Sequence, residues 1–186
     1  MPARTSAGLG RERSISAVCA TGCGVLAVLI PLAVAALWTF GSWQVLALVR
    51  LVPADIIHHL PGDVLPWRRI TGAAITLVPA LLLSYGLLRA RRSVAAFARG
   101  DFFAADVVDG LRGYAGATFW AAIASIVSVP VLSVAMTLAN PPGQRELSAD
   151  LSGAQLLSLL GAGIVWVIAS AMARAAQIAR ENEEFV

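Results

Sequence analysis

Four stretches of the chain carry no charged residue: 14–49, 70–88, 113–144 and 151–173. Each is long enough for a membrane-spanning helix, which needs roughly 17–25 apolar residues. Polar and aromatic flanks trim them to predicted helices at about 18–40, 70–88, 115–138 and 155–173. Trp38, Trp43 and Trp67 then fall at one surface, where interfacial aromatics belong. No Gly-Pro or Asn-rich break offers a turn inside the longer stretches, so neither of them is expected to hide a hairpin. The pattern predicts an all-α integral membrane protein, a four-transmembrane-helix bundle forming a single domain over 1–186.

The connections carry their own patterns. The first outer loop, 44–69, holds Val45, Leu46, Leu48, Val49, Leu51 and Val52 before Pro53. It is apolar enough to be expected in the headgroup region rather than projecting freely. Asn140-Pro141-Pro142-Gly143 removes backbone donors and is expected to stop the third span sharply. Between the second and third spans, Phe103, Val107, Leu111 and Tyr114 recur at steps of four, four and three, while Asp106, Asp109 and Arg112 fall on the other side. That spacing predicts an amphipathic segment over about 100–114. The helix before it should run on to about Arg99, with Gly100 as its break.

Charge gives direction. All fourteen basic residues are arginine, which with the abundant alanine suggests a GC-rich bacterial genome. Arg4, Arg11, Arg13, Arg89, Arg91, Arg92, Arg99, Arg112, Arg174 and Arg180 collect on one side of the predicted bilayer, leaving Arg50, Arg68, Arg69 and Arg145 on the other. An arginine excess marks the cytoplasmic side, so both termini are expected inside (N-in/C-in), in the bacterial inner membrane. A mean hydropathy of +0.77 with 13% charged residues is far from a soluble domain, where about a quarter are charged. The formal charge of +3 therefore reads as attraction to lipid phosphate, not as direct nucleic-acid binding. The first apolar run exceeds the core of a cleaved signal, and Cys19 and Cys23 precede most of it, the wrong place for a lipidated anchor. As an i, i+4 pair they suit a disulfide poorly and read as small packing residues.

Candidate chemistry is sparse. Asp55, His58, His59 and Asp63 are the one grouping that resembles metal ligands, but neighbouring histidines diverge by about 100° on a helix, and Pro61-Gly62 interrupts the route to Asp63. Solvated interfacial residues are the simpler reading, and no metal or cofactor is expected. Pro31, Pro79 and Pro130 lie near mid-span, where they either kink a helix or expose backbone to a ligand. No ionisable residue falls inside the four trimmed spans, which weighs against an ion-driven transporter. Ala117, Ala121 and Ser125, and likewise Ser158 and Ala162, form small-residue rows suited to close helix packing, within the bundle or in a homo-oligomer. Gly110, Gly113 and Gly116 read the same way. No nucleophile stands with a base in a catalytic pattern, so no catalytic residue is assigned.

Gly100-Asp101-Phe102-Phe103, followed by Val107, Leu111 and Arg112, resembles the G-x-x-F…V…LR signature of domain-of-unknown-function family 2975, small bacterial proteins with four predicted spans. The ending Glu181-Asn182-Glu183-Glu184-Phe185-Val186 is similar to that family's acidic terminus. Ala104 departs from the family's usual helix-capping serine or threonine; loss of a cap costs about 0.5–2 kcal/mol. The family has no assigned activity. The resemblance implies a membrane partner for a small helix-turn-helix regulator encoded nearby.

The sequence thus points to a non-enzymatic interaction or regulatory component acting through its cytoplasmic loop and tail. Its candidate interaction positions are Gly100, Phe103, Val107, Leu111, Arg112, Glu181, Asn182, Phe185 and Val186. Three carboxylates at a helix C-terminus oppose the macrodipole, so the tail either folds back onto Arg89, Arg91, Arg92 and Arg99, with Phe185 near Phe103, or is solvated and frayed, since exposed ion pairs contribute only about 0–1 kcal/mol each. The alternative function is a small transporter or channel component.

Overall fold

The computed structural model describes residues 6–53, 56–57, 65–99, 105–141, 145 and 147–184, with side chains described over 16–53, 56–57, 65–96, 106–141, 145, 147–175 and 177–178. Within them the chain is all-helical: α1 (Ser6–Phe40), α2 (Trp43–Leu48), α3 (Pro66–Arg99), α4 (Ala105–Thr137) and α5 (Gly153–Glu184). Four helices are long and apolar enough to cross a membrane, over Ser16–Phe40, Pro66–Ala96, Asp106–Thr137 and Gly153–Ala175. These are the four predicted spans, each embedded in a longer rod. At about 1.5 Å per residue the rods are roughly 50 Å long, against a hydrocarbon core of about 30 Å.

Successive long helices are antiparallel, so the 41–65 and 138–152 connections share one face of the molecule. The first turn of α1, the end of α3, the start of α4 and the end of α5 share the other. α3 is described as far as Arg99, and Gly100, the expected break, lies outside the described residues. The amphipathic stretch is the first part of α4 itself, continuous with the span. Its register is as expected except at Arg112: Asp106 and Asp109 are exposed, Val107 is buried, and Leu111 and Tyr114 are half-buried, but so is Arg112, expected on the outer side. Pro31, Pro79 and Pro130 sit inside unbroken helices.

The expected bundle takes a different form. Among the described residues α1 packs on α3, α3 on α4 and α4 on α5, while α1 touches neither α4 nor α5 along the backbone. The long helices form an open row rather than a closed ring. The reason lies in where small residues fall. Any side chain at Gly72 would collide with the Trp38 ring, one at Gly110 with Ser93 Oγ, and one at Gly113 with Arg89. These glycines let α3 receive α1 on one flank and α4 on the other. The row Ala117, Ala121 is buried, and so is Ala162 on α5, while Ser158 is exposed.

The first connection also departs from expectation. Instead of lying in the headgroups, it turns inward: Leu46, Val52 and Ile56 join Trp38, Trp43, Leu132 and Met136 in the main apolar cluster. Trp38 and Trp43 are consequently core residues, 1% and 6% exposed, and only Trp67 stays largely on the surface. Leu48 and Val49 remain outside. Along α1 and α5 most of the apolar surface stays exposed.

Candidate functional site

The predicted interaction positions divide. Val107 is fully buried, and its carbonyl accepts a 3.0 Å bond from Ser93 Oγ, so it holds α4 on α3 instead of facing a partner. Leu111 and Arg112 are half-buried, and Arg112 Nε is buried without a hydrogen-bond partner among the described residues. Glu181 and Asn182 lie in the last turns of α5, which continues as one helix to Glu184; a fold-back cannot begin before that point. Gly100, Phe103, Phe185 and Val186 lie outside the described residues, as do Asp55, His58, His59 and Asp63. No metal-ligating group of side chains occurs among the described residues. Cys19 and Cys23 are free thiols, Cys19 exposed rather than packed.

The arginines of this face are held by backbone and rings. Arg89 Nη2 donates to the Asp109 carbonyl at 3.4 Å and its guanidinium stands 5.9 Å from the Tyr85 ring centre. Arg91 crosses to α1 and lies against Gly24.

On the opposite face the structure builds a site that the sequence reading did not propose. A cavity of about 570 Å³ opens between the two connections and descends between α3 and α4. From the first connection it takes Arg50, Leu51, Val52 and Pro53; from α3, Thr76 and Pro79; from α4, Ser125, Ser128, Val129 and Leu132; from the second connection, Ser148, Ala149 and Asp150. Pro79 and Ser125 stand near the middle of their spans, so the cavity reaches about half-way through. Pro79 has no N–H, which leaves the Ile75 carbonyl without its helical donor.

Each wall is held in place. Arg50 has φ of 57°, a left-handed conformation that costs a non-glycine residue about 1–2 kcal/mol. It closes α2: Arg50 N donates to the Ala47 carbonyl at 2.9 Å and Leu51 N to the Leu46 carbonyl at 2.8 Å. This is the Schellman pattern, with arginine where glycine is usual. The second connection is tied to α4 by Ser148 N, which donates to Ser133 Oγ at 3.0 Å. Ser152 and Gln155 then close a reciprocal capping box, Ser152 N to Gln155 Oε1 at 2.8 Å and Gln155 N to Ser152 Oγ at 3.3 Å. Gln155 Nε2 also donates to Ser125 Oγ at 3.1 Å, which binds α5 to the cavity wall.

Two arginines brace the same end. Arg69 Nη1 donates to the carbonyls of Trp38, Thr39 and Gly41 at 2.7, 2.8 and 3.3 Å, capping the negative end of α1. Arg68 is 3% exposed; Nη2 donates to Asn140 Oδ1 at 3.2 Å, the guanidinium sits 5.1 Å from the Trp67 ring centre, and Nε and Nη1 have no partner among the described residues. Both lie in the first turn of α3, which begins four residues before the trimmed span and brings these charges with it.

Three signals could have pointed here. Ser152-x-x-Gln155 is a capping-box spelling, Ser125 and Ser128 break an otherwise apolar run, and Pro79 lies one turn from Thr76. No family model matches the chain, and no curated protein or solved structure is similar to it. What the fold defines is a class: four apolar helices that fit a multi-pass membrane protein, with a polar cavity at one end.

Proposed function

We propose that this chain is a multi-pass protein of a bacterial inner membrane, with both termini in the cytoplasm, that acts as a non-enzymatic regulatory component responding to a small polar solute. The observation that carries this reading is the cavity at the face opposite the arginine-rich helix ends, open outward and ending near Pro79 and Ser125. Below it the α3–α4 seam is tight: Gly86 meets Ala117, Gly110 meets Ser93 and Gly113 meets Arg89. A cavity closed at its inner end suits binding better than passage. The same seam joins the cavity to the cytoplasmic start of α4, where Val107 and Ser93 are coupled. At that face the resemblance to family 2975 supports a soluble partner, a small helix-turn-helix regulator, met by the 100–114 stretch and the acidic end of α5.

The test uses Ser128→Cys in a chain whose Cys19 and Cys23 are alanine. A membrane-impermeant thiol reagent should label it in intact cells, and labelling only after the cells are opened would sink the orientation. Capture of the regulator should be lost in Phe103→Ala or Phe185→Ala; retention in both would remove the cytoplasmic assignment. A second reading, a small transporter component, is favoured by Pro79 in the cavity wall and Pro130 in α4. Solute uptake by proteoliposomes carrying the purified chain would replace the regulatory reading with it.

A further inference from the structure

The charges that line the cavity say more than that its ligand is polar. Among the described residues one wall contributes a single cation, Arg50, and the facing connection a single anion, Asp150. Both are exposed at the mouth, and among the described residues no ion pair joins them. Each is carried on a stretch of backbone that is held by its own contacts. Arg50 is fixed by the C-terminal motif of α2, in a backbone conformation that glycine would adopt more cheaply. Asp150 follows the Ser148 tie to Ser133 and precedes the Ser152–Gln155 box, so the short run carrying it is held at both ends.

Below the charges the lining changes character. Ser128 Oγ is turned back on the Ala124 carbonyl at 2.6 Å, and Thr76 Oγ1 on the Gly72 carbonyl at 2.8 Å. Each hydroxyl keeps acceptor capacity but has spent its proton. Ser125, whose Oγ accepts from Gln155, and Ser148 add to this polar lining, and Leu51, Val52, Val129 and Leu132 supply an aliphatic wall beside it, with no aromatic ring among the described lining residues. The volume of about 570 Å³ lies within the range of small-molecule sites, roughly 300–1,000 Å³.

Resting on the cavity reading above, we infer that the cavity binds a short aliphatic zwitterion, whose carboxylate meets Arg50 and whose ammonium meets Asp150 while its body lies against the aliphatic wall. A net anion would leave Asp150 opposed by like charge, and a net cation would do so for Arg50. A neutral solute would use neither. The zwitterion alone satisfies both charges, each through a charge-assisted hydrogen bond.

The probes are L-alanyl-L-alanine, its N-acetyl form, which keeps only the carboxylate, and its C-terminal amide, which keeps only the ammonium. Binding is measured by titration calorimetry on the full-length chain in lipid nanodiscs, and by protection of Ser128→Cys from the impermeant thiol reagent. The dipeptide should bind about tenfold tighter than either analogue, about 1.4 kcal/mol. Asp150→Asn should erase its advantage over the N-acetyl form, and Arg50→Gln its advantage over the amide. Equal binding of all three probes, or binding of none while Ser128→Cys still labels from outside, overturns the zwitterion assignment and leaves the cavity reading standing. Failure of Ser128→Cys to label overturns that reading itself.

Discussion

The indole Nε1 of Trp38 on α1 donates a 2.8 Å hydrogen bond to Thr76 Oγ1 on α3, and Thr76 passes its own proton to the Gly72 carbonyl. The ring that makes this bond lies over Gly72, where no side chain fits. The contact joins the apolar cluster to the cavity, because Thr76 belongs to both neighbourhoods.

Gly72→Ala should therefore destabilise the chain by about 1–3 kcal/mol through overpacking. Trp38→Phe should cost about 1 kcal/mol for the lost hydrogen bond, in addition to lost packing. The smaller ring makes room, so the double variant should be more stable than the sum of the two losses. Thermal unfolding in detergent reads all three; strict additivity would mean that the ring does not lie on Gly72.

Arg50 invites a comparison between two replacements. Arg50→Ala removes the charge and keeps the left-handed strain, whereas Arg50→Gly removes both. The glycine variant should be about 1 kcal/mol more stable than the alanine variant. Denaturation midpoints of equal height would show that residue 50 does not close α2 as described.

The capping box predicts graded losses at the start of α5. Ser152→Ala should cost about 0.5–2 kcal/mol. Gln155→Ala removes the return bond and the link to Ser125 together, so it should loosen α5 from α4 more than Ser125→Ala does. Hydrogen exchange over 153–158 checks the order, and equal protection in all three variants would refute the link.

Arg68 and Asn140 give the fourth prediction. Removing Asn140 takes from a buried guanidinium the hydrogen bond at Nη2, a loss of about 1–3 kcal/mol, whereas Arg68→Met removes the buried charge together with the donors that have no partner among the described residues. Asn140→Ala should thus be more damaging than Arg68→Met. The reverse order of melting temperatures would place the stabilising role in Arg68 itself.

The spans were legible because bilayer thickness writes itself as uninterrupted apolar length, and the end of α4 because the Pro141-Pro142 pair is a local signal. What the linear pattern could not convey was who neighbours whom. Trp38 reads as an interfacial aromatic until Gly72 is seen beneath it, and the run 45–52 reads as lipid-facing until Leu132 and Met136 are placed behind it. The cavity was hidden for the same reason. Its lining comes from four separate stretches, and Ser125, in line with Ala117 and Ala121, looks like one more packing position. Only the arrival of Gln155 from α5 distinguishes it.

The open row has a consequence for how the chain is made. Each long helix docks on the one synthesised just before it, α3 on α1, α4 on α3 and α5 on α4. None has to wait for a distant partner to emerge from the ribosome. Contacts between sequence neighbours are also those that form fastest, so the row can be laid down in the order of translation, with the second connection closing the cavity's last wall just before α5 arrives to brace it through Gln155.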